Sequence, residues 1–238
     1  MTAKIYLYKL DKEYILREGL GNTGLLPKCR IEKMVKYKNE EAKYQSFAAG
    51  RLLVMILSAE SGMNQEDIIE ILDSDKHSVD GRTVELPSGK LIHYNISHSG
   101  KIVTVATSED SIGIDVEGKD DKAFKVTERM FSEDDKRYIG NSQEKFREVW
   151  TSKEAFLKCT GRGIVVPLKS FTMDYENAEN IRGTEEFKVR QIRSLGYNLE
   201  GRSYYVFTKK TEIEKCGLSI CSENKNLLLD MEWVEVLL

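Results

Sequence analysis

Trp150–Gly163, WTSKEAFLKCTGRG, places two opposed charges within one helical turn. Glu154 and Lys158 are four residues apart, so a helix stacks them on one face. Trp150, four residues before Glu154, sets a large apolar ring beside the carboxylate. The helix is expected to run from Ser142 to Thr160 and to stop at Gly161. On such a face a hard cation could sit on Glu154 while the Lys158 ammonium holds a phosphate oxygen. Alone, the pair reads more simply as a surface contact worth about 0.2–0.5 kcal/mol. A second acidic pair changes that balance.

The second pair lies in Ile112–Glu117, IGIDVE. Ile112, Ile114 and Val116 alternate with Gly113, Asp115 and Glu117, a period of two that predicts a half-buried strand. Asp115 and Glu117 then share one side of the sheet, where two like charges repel unless something positive lies between them. A solvated face is the plain alternative, but the apolar flanks argue for a buried or clefted strand end. Asp115, Glu117 and Glu154 form an all-oxygen set suited to Mg²⁺, which keeps waters and substrate phosphates in its remaining positions. No Cys/His cluster competes for zinc.

Upstream, Leu91–Ile96 and Lys101–Thr107 read as strands joined by a polar turn, Ser97-His98-Ser99-Gly100. Its hydroxyls, imidazole and backbone N–H groups could meet an anion. A lone turn histidine is more often structural. A Ser–His nucleophile is disfavoured because adjacent turn residues rarely align as nucleophile and base, and no third acid is placed to orient them.

Taken in order, YNISHSG, IGIDVE and WTSKEAFLKCTGRG resemble the three signature stretches of the surfactin-type 4′-phosphopantetheinyl transferases. Each short motif alone is weak. The ordered set, with Trp150, Lys153, Glu154, Lys158, Gly161 and Gly163 in register, is specific, and the likeness runs from about Arg30 to Thr172. The resemblance implies an enzyme that moves the phosphopantetheine arm of coenzyme A onto a serine of an acyl or peptidyl carrier protein and releases 3′,5′-ADP. It implies Mg²⁺, with Mn²⁺ as a substitute, on Asp115, Glu117 and Glu154. By the same likeness, Ser97 and His98 hold the coenzyme's 3′-phosphate and neighbouring groups, as do Arg30 and Lys33 of CRIEK. Lys153 and Lys158 are implied as basic coenzyme contacts, Lys158 at the pyrophosphate. Arg82 stands where the family has the lysine of a Gly-Lys-Pro stretch, here Gly81-Arg82-Thr83. Tyr94 replaces a common phenylalanine, and Asp135, after Phe131-Ser132, a usual glutamate.

The chain has 238 residues and a net charge of −3, enough length for a sizeable core and no basic footprint for nucleic acid. Basic residues crowd Lys28–Lys38, and most of them suit a solvated helix face. Four cysteines, Cys29, Cys159, Cys216 and Cys221, lack metal-site or disulfide-framework spacing. MTAKIYLYKL is too short and polar for a signal peptide, and no apolar run suffices to span a bilayer. A cytoplasmic protein with neither nucleic-acid nor membrane partners is expected.

Periodicity and punctuation predict strand Ala3–Leu10, helix Lys28–Lys36, a long helix Glu40–Ser61 stopped at Gly62, and helix Gln65–Leu72 capped by Asn64. Strands near Leu91–Ser97, Lys101–Thr107 and Ser111–Glu117 follow, then short helices Lys122–Met130 and Ser132–Ile139 before the long one. The last third alternates as strands Ser170–Tyr175, Glu186–Ile192, Arg202–Thr208, Leu218–Cys221 and Glu232–Val236. The class is α+β. The resemblance adds a pseudo-dimer of two similar halves, each a mainly antiparallel sheet with a long helix, and hence a monomer with a cleft between them. The halves are expected as 1–117 and 118–238, with the seam near Gly118–Lys122. Phe124–Ile139 is a candidate carrier-facing stretch, although core packing suits most of its apolar residues.

The implied chemistry has Glu154, or a water on the ion, taking the serine proton while Lys158 steadies or protonates the leaving phosphate. Two rivals remain: a catalytically inactive coenzyme A- or carrier-binding module, and a metal-dependent phosphohydrolase that needs only water. The absence of a GxxxxGK[ST] loop makes a nucleotide kinase or ATPase a poor fit.

Overall fold

The computed structural model describes residues 2–10, 23–74, 82–118, 127–180, 187–211 and 216–236. Its architecture is α+β, with two mainly antiparallel sheets, each packed by one long helix. The first half opens with strand β1 (Lys4–Lys9), helix α1 (Lys28–Val35), the long helix α2 (Glu40–Ser61) and α3 (Gln65–Asp73). Strands β2 (Thr83–Glu85), β3 (Leu91–Ser99), β4 (Ile102–Ser108) and β5 (Ile112–Glu117) follow. Then come short α4 (Thr127–Met130), α5 (Glu133–Ile139) and the signature helix α6 (Gln143–Cys159). The chain finishes through β6 (Phe171–Met173), β7 (Glu179–Asn180), β8 (Lys188–Ser194), β9 (Tyr205–Lys210), β10 (Gly217–Ser222), α7 (Lys225–Leu229) and β11 (Glu232–Val236).

Local chemistry explains the long helices. α2 starts where the Asn39 side chain accepts the Glu41 N–H, has Glu40 and Glu41 in its positive first turn, and ends at Gly62 with φ 73°. Its inward face, including Phe47, Leu53 and Leu57, packs with Val103 and Val105 of β4. α6 starts at Ser142, which accepts the Lys145 N–H, and buries Phe146 and Phe156 with Phe171. A third cluster, with Ile5, Ile102, Ile114, Phe207 and Ile220, draws on strands of both sheets and joins the halves. None of the described helices is long and apolar enough to cross a membrane.

The sheets do not divide where the sequence suggests. The first sheet runs β11-β1-β4-β3-β2, and the second β5-β10-β9-β8-β6 with β7 beside β8. β5, from before the expected boundary at 117/118, pairs antiparallel with β10 of the second sheet. β11, from the far end, pairs parallel with β1 of the first. Each sheet therefore takes an edge strand from the other half of the sequence. Lys119–Lys122 of the expected seam lie outside the described residues, as do Phe124 and Val126 of the candidate carrier-facing stretch.

Other departures are local. Ser97, His98 and Ser99 are the end of β3, paired with Thr104, Val103 and Ile102. The turn is tighter than expected, centred on Gly100 with φ 54°, and the Gln45 side chain of α2 donates to the Gly100 carbonyl at 2.8 Å. In the last third β8 and β9 sit two to three residues later than expected, because their register is set by pairing with each other. α6 lies so close to β5 that a Cβ on Gly113 would stand 1.9 Å from the Ala155 carbonyl oxygen and 2.5 Å from the Cys159 nitrogen. That approach brings the end of α6 down onto the strand of acids.

Candidate active site

The strand period of two decides where the polar groups of β3 and β5 point. Ser97 and Ser99 share one side of β3, and Asp115 and Glu117 share one side of β5. Ser97 Oγ donates to Asp115 Oδ1 at 2.9 Å, and Ser99 Oγ donates to Glu117 Oε2 at 3.1 Å. The same hydroxyls accept the Val116 N–H at 3.3 Å and the Gly118 N–H at 3.0 Å. Because β3 and β5 belong to different sheets, these bonds stitch the two halves together at the acids.

α6 delivers a cation to the same point. Lys158 Nζ donates to Asp115 Oδ1 at 2.6 Å, to Ser97 Oγ at 3.1 Å and to the Ile114 carbonyl at 3.1 Å. Burial nevertheless raises the Asp115 carboxyl above its usual range, against the pull of Lys158 and Ser97. Glu117 is pushed up to about 7, first by burial and then by the Asp115 charge. Glu154 is raised by burial and by Asp115, with Lys158 opposing. The acids thus feel one another in poorly solvated surroundings, and Asp115 Oδ2 is buried with no hydrogen-bond partner.

Beside the acids lies a group of cations. The imidazole of His98 is lowered to about 4 by burial and by the Lys33, Lys158 and Arg30 charges, so it is neutral at pH 7. Lys33 is lowered by its surroundings and by the Arg30 and Lys158 charges. Arg30 and Lys33 come from α1 and Lys158 from α6, so two elements direct positive charge to the neutral His98 of β3. Cations held close enough to depress one another are relieved by an anion of high charge density.

The family model of the 4′-phosphopantetheinyl transferase superfamily matches residues 111–208, a span holding Asp115, Glu117, Glu154 and Lys158. Within that span the chain is similar to this superfamily. It is 29% identical over 162 residues to the 4′-phosphopantetheinyl transferase gsp of Aneurinibacillus migulanus, a match covering 65% of this chain and 64% of that protein. It is 28% identical to the transferase ffp of Bacillus subtilis and 25% identical to Sfp of Bacillus subtilis strain 168. Both of these matches span 176 residues, 71% of this chain and 75% of the relative. The chain therefore spans just under two thirds of the first relative's length and three quarters of the other two.

Of the side chains that the resemblance implies, the structure gathers most: Asp115, Glu117, Glu154, Lys158, Ser97, His98, Arg30 and Lys33 interact directly or through their charges. Arg82 arrives differently. Its guanidinium donates to the main-chain carbonyl of Lys158, at the end of α6. Gly81, beside it, lies outside the described residues.

Lys153 is a correction. Expected as a coenzyme contact, it is fully buried, paired with Asp135 at 2.8 Å, and donates to the Leu168 and Phe171 carbonyls. Five residues along a helix turn the side chain by roughly 140°, so Lys153 faces away from Lys158. Burial works against the Asp135 carboxylate, yet Lys153, Thr172 and Tyr175 hold it below the usual range. Ser99, expected only as one hydroxyl of a polar turn, binds Glu117, and its two-residue spacing from Ser97, which mirrors that of Glu117 from Asp115, is the signal in the sequence.

Whether the acids suit a divalent ion rests on their own chemistry. Among the described residues no three His, Cys, Asp or Glu side chains stand together as a ready-made metal group. The set is nevertheless all oxygen, has an orphaned buried Oδ2 on Asp115, and is destabilised by mutual repulsion. A hard divalent cation would relieve each of these costs, so the chemistry of the donor set suits Mg²⁺.

Proposed function

We propose that this protein transfers the 4′-phosphopantetheine arm of coenzyme A to a serine of an acyl or peptidyl carrier protein, converting apo carrier to holo and releasing 3′,5′-ADP. The observation behind this reading is the meeting of Lys158 with Asp115 and Ser97 across the seam, beside a basic group made by Arg30, Lys33 and His98. A substrate with a pyrophosphate and a 3′-phosphate matches that pairing of acids and bases. The similarity to gsp, ffp and Sfp, all 4′-phosphopantetheinyl transferases, supports it.

In this mechanism Arg30, Lys33, Ser97 and His98 hold the 3′-phosphate end, with the neutral imidazole serving as a hydrogen-bonding group. Asp115, Glu117 and Glu154 would hold Mg²⁺, or Mn²⁺ in its place. When bound, that ion supplies charge neutralisation to the pyrophosphate in a reaction governed by positioning and electrostatics. Glu154 accepts the proton of the carrier serine, a task suited to a carboxyl that burial raises above its usual range. The serine oxygen bonds to the β-phosphorus as the bond from that phosphorus to the bridging oxygen breaks. Lys158 then stabilises or protonates the departing phosphate of 3′,5′-ADP. Arg82, capping the Lys158 carbonyl, holds the end of α6 in place and is a secondary candidate for the coenzyme. We read the protein as a cytoplasmic monomer whose cleft is complete within one chain, with no part for nucleic acid or a membrane.

Incubation of purified apo acyl and peptidyl carrier proteins with coenzyme A, Mg²⁺ and the protein tests this reading by mass spectrometry. A carrier heavier by one phosphopantetheine group, dependent on both coenzyme A and Mg²⁺, is expected. Tight coenzyme A binding with no transfer to any carrier would support the inactive module instead. Release of 3′,5′-ADP without a carrier would support a phosphohydrolase.

A further inference from the structure

The ion pair of Lys153 and Asp135 lies outside the candidate active site, yet it touches the helix that presents Glu154 and Lys158. Both side chains are completely buried, and neither carboxylate oxygen is unmet. Oδ2 accepts from Lys153 at 2.8 Å, from the Ser132 N–H at 3.0 Å and from the Ser132 hydroxyl at 2.7 Å. Oδ1 accepts from Thr172 and Tyr175, each at 2.6 Å. Lys153 Nζ also donates to the Leu168 carbonyl at 2.8 Å and to that of Phe171, and it stands 4.4 Å from the Phe171 ring centre.

Such a pair is a poor source of stability, since apolar residues of similar volume often serve as well. Its connectivity suggests a different use. It ties the N-terminal turn of α5, the middle of α6 and the start of β6 to one point. On α6 it acts beside Glu154 and on roughly the opposite face from Lys158. The contact of Gly113 with Ala155 and Cys159 sets how closely α6 approaches β5, but it leaves the helix free to roll. A charge pair locked by directional hydrogen bonds opposes that roll. We infer that Asp135 and Lys153 are positioning residues for phosphopantetheinyl transfer, fixing the rotation of α6 so that Glu154 and Lys158 meet the acids of β5. The inference rests on the proposed transferase reading.

The experiment compares Asp135→Asn, Lys153→Met and Asp135→Glu with Leu53→Ala, a core deletion in α2 of the other half. Circular dichroism defines a temperature at which each variant is folded. There, kcat is measured with an apo carrier, and the Kd for coenzyme A is measured by calorimetry without carrier. Asp135→Asn and Lys153→Met are expected to lose about tenfold or more in kcat, since small misplacements of reacting groups are costly. Coenzyme A affinity should stay within about threefold, because Arg30, Lys33 and His98 hold its 3′-phosphate end from outside α6 and only Lys158 of its proposed basic contacts rides on that helix. Asp135→Glu, which keeps the charge pair, should retain kcat within about threefold, as should Leu53→Ala despite its lost stability. Unchanged kcat in folded Asp135→Asn and Lys153→Met would overturn the inference. So would a parallel loss of kcat and affinity, a similar loss in Leu53→Ala, or failure of both pair variants to fold. An inactive wild type would instead overturn the transferase reading.

Discussion

α6 holds two lysine–aspartate pairs five residues apart, and they are built for opposite ends. At Lys153–Asp135 both partners are sealed from solvent and both carboxylate oxygens are engaged. At Lys158–Asp115 the lysine is about a quarter exposed, one carboxylate oxygen is orphaned, and the aspartate's charge presses on two further acids. A pair whose bonds are all made has nothing to offer a ligand. A pair with an unsatisfied oxygen and crowded charge has a reason to accept one. The contrast shows that adjacency in a signature motif does not imply a shared task.

The comparison can be broken most forcefully at its open end. Asp115→Ala should lower transfer on the order of a thousandfold, about 4 kcal/mol of transition-state stabilisation, while the melting temperature without divalent ions stays the same or rises. Near-normal carrier modification under saturating Mg²⁺ and coenzyme A would remove Asp115 from the chemistry. At the closed end the weight shifts to stability. Lys153→Met strands the Asp135 carboxylate and should cost about 3–5 kcal/mol in urea unfolding. A loss below 1 kcal/mol would show that the sealed pair is dispensable.

Gly113→Ala probes the geometry between the two ends. Its methyl group would press on helix backbone, which cannot turn aside as a side chain can, so about 1–3 kcal/mol of stability should be lost. Transfer should fall as well, because α6 must lift from β5.

The smallest effect concerns pH. Glu117 moves from its usual 4.5 to about 7, so the folded state keeps a proton that the unfolded chain releases, and stability from this group falls as pH rises through that interval. His98 moves from 6.5 to about 4, so the unfolded chain takes up a proton that the folded state lacks, and stability from this group rises with pH between those values. The two slopes oppose over most of their range. Melting curves without divalent ions should therefore be nearly flat in the wild type, rise with pH in Glu117→Gln, and fall with pH in His98→Asn. Parallel profiles in all three would mean that neither group is perturbed as described.

Much of this fold could be read from local signals. The bounds of α2, its stop at Gly62 and the cap at Asn64 follow from helix-end chemistry, and all three appear. The acids of β5 were legible because a two-residue period fixes their side of the strand. The exchange of β5 and β11 between sheets was not, since strand partners far apart in sequence leave no periodic trace. Lys153 was misread for a related reason. Its neighbours place it beside Glu154, but its face of the helix matters only once Asp135, from another helix, is known to be buried there. Ser97–Ser99 looked like a turn because serine and glycine favour turns, yet pairing with β4 extends the strand through them.

The swapped edge strands also bear on how the protein is made. A nascent chain exposed through residue 117 has β5 without the sheet that will receive it, and β1 without its parallel neighbour. Neither sheet can close until residues 217–236 have left the ribosome, so the early half waits with a bare edge open to mispairing. Separately expressed halves cut at that point should therefore be sticky and in need of chaperones, and should regain a defined shape only when mixed.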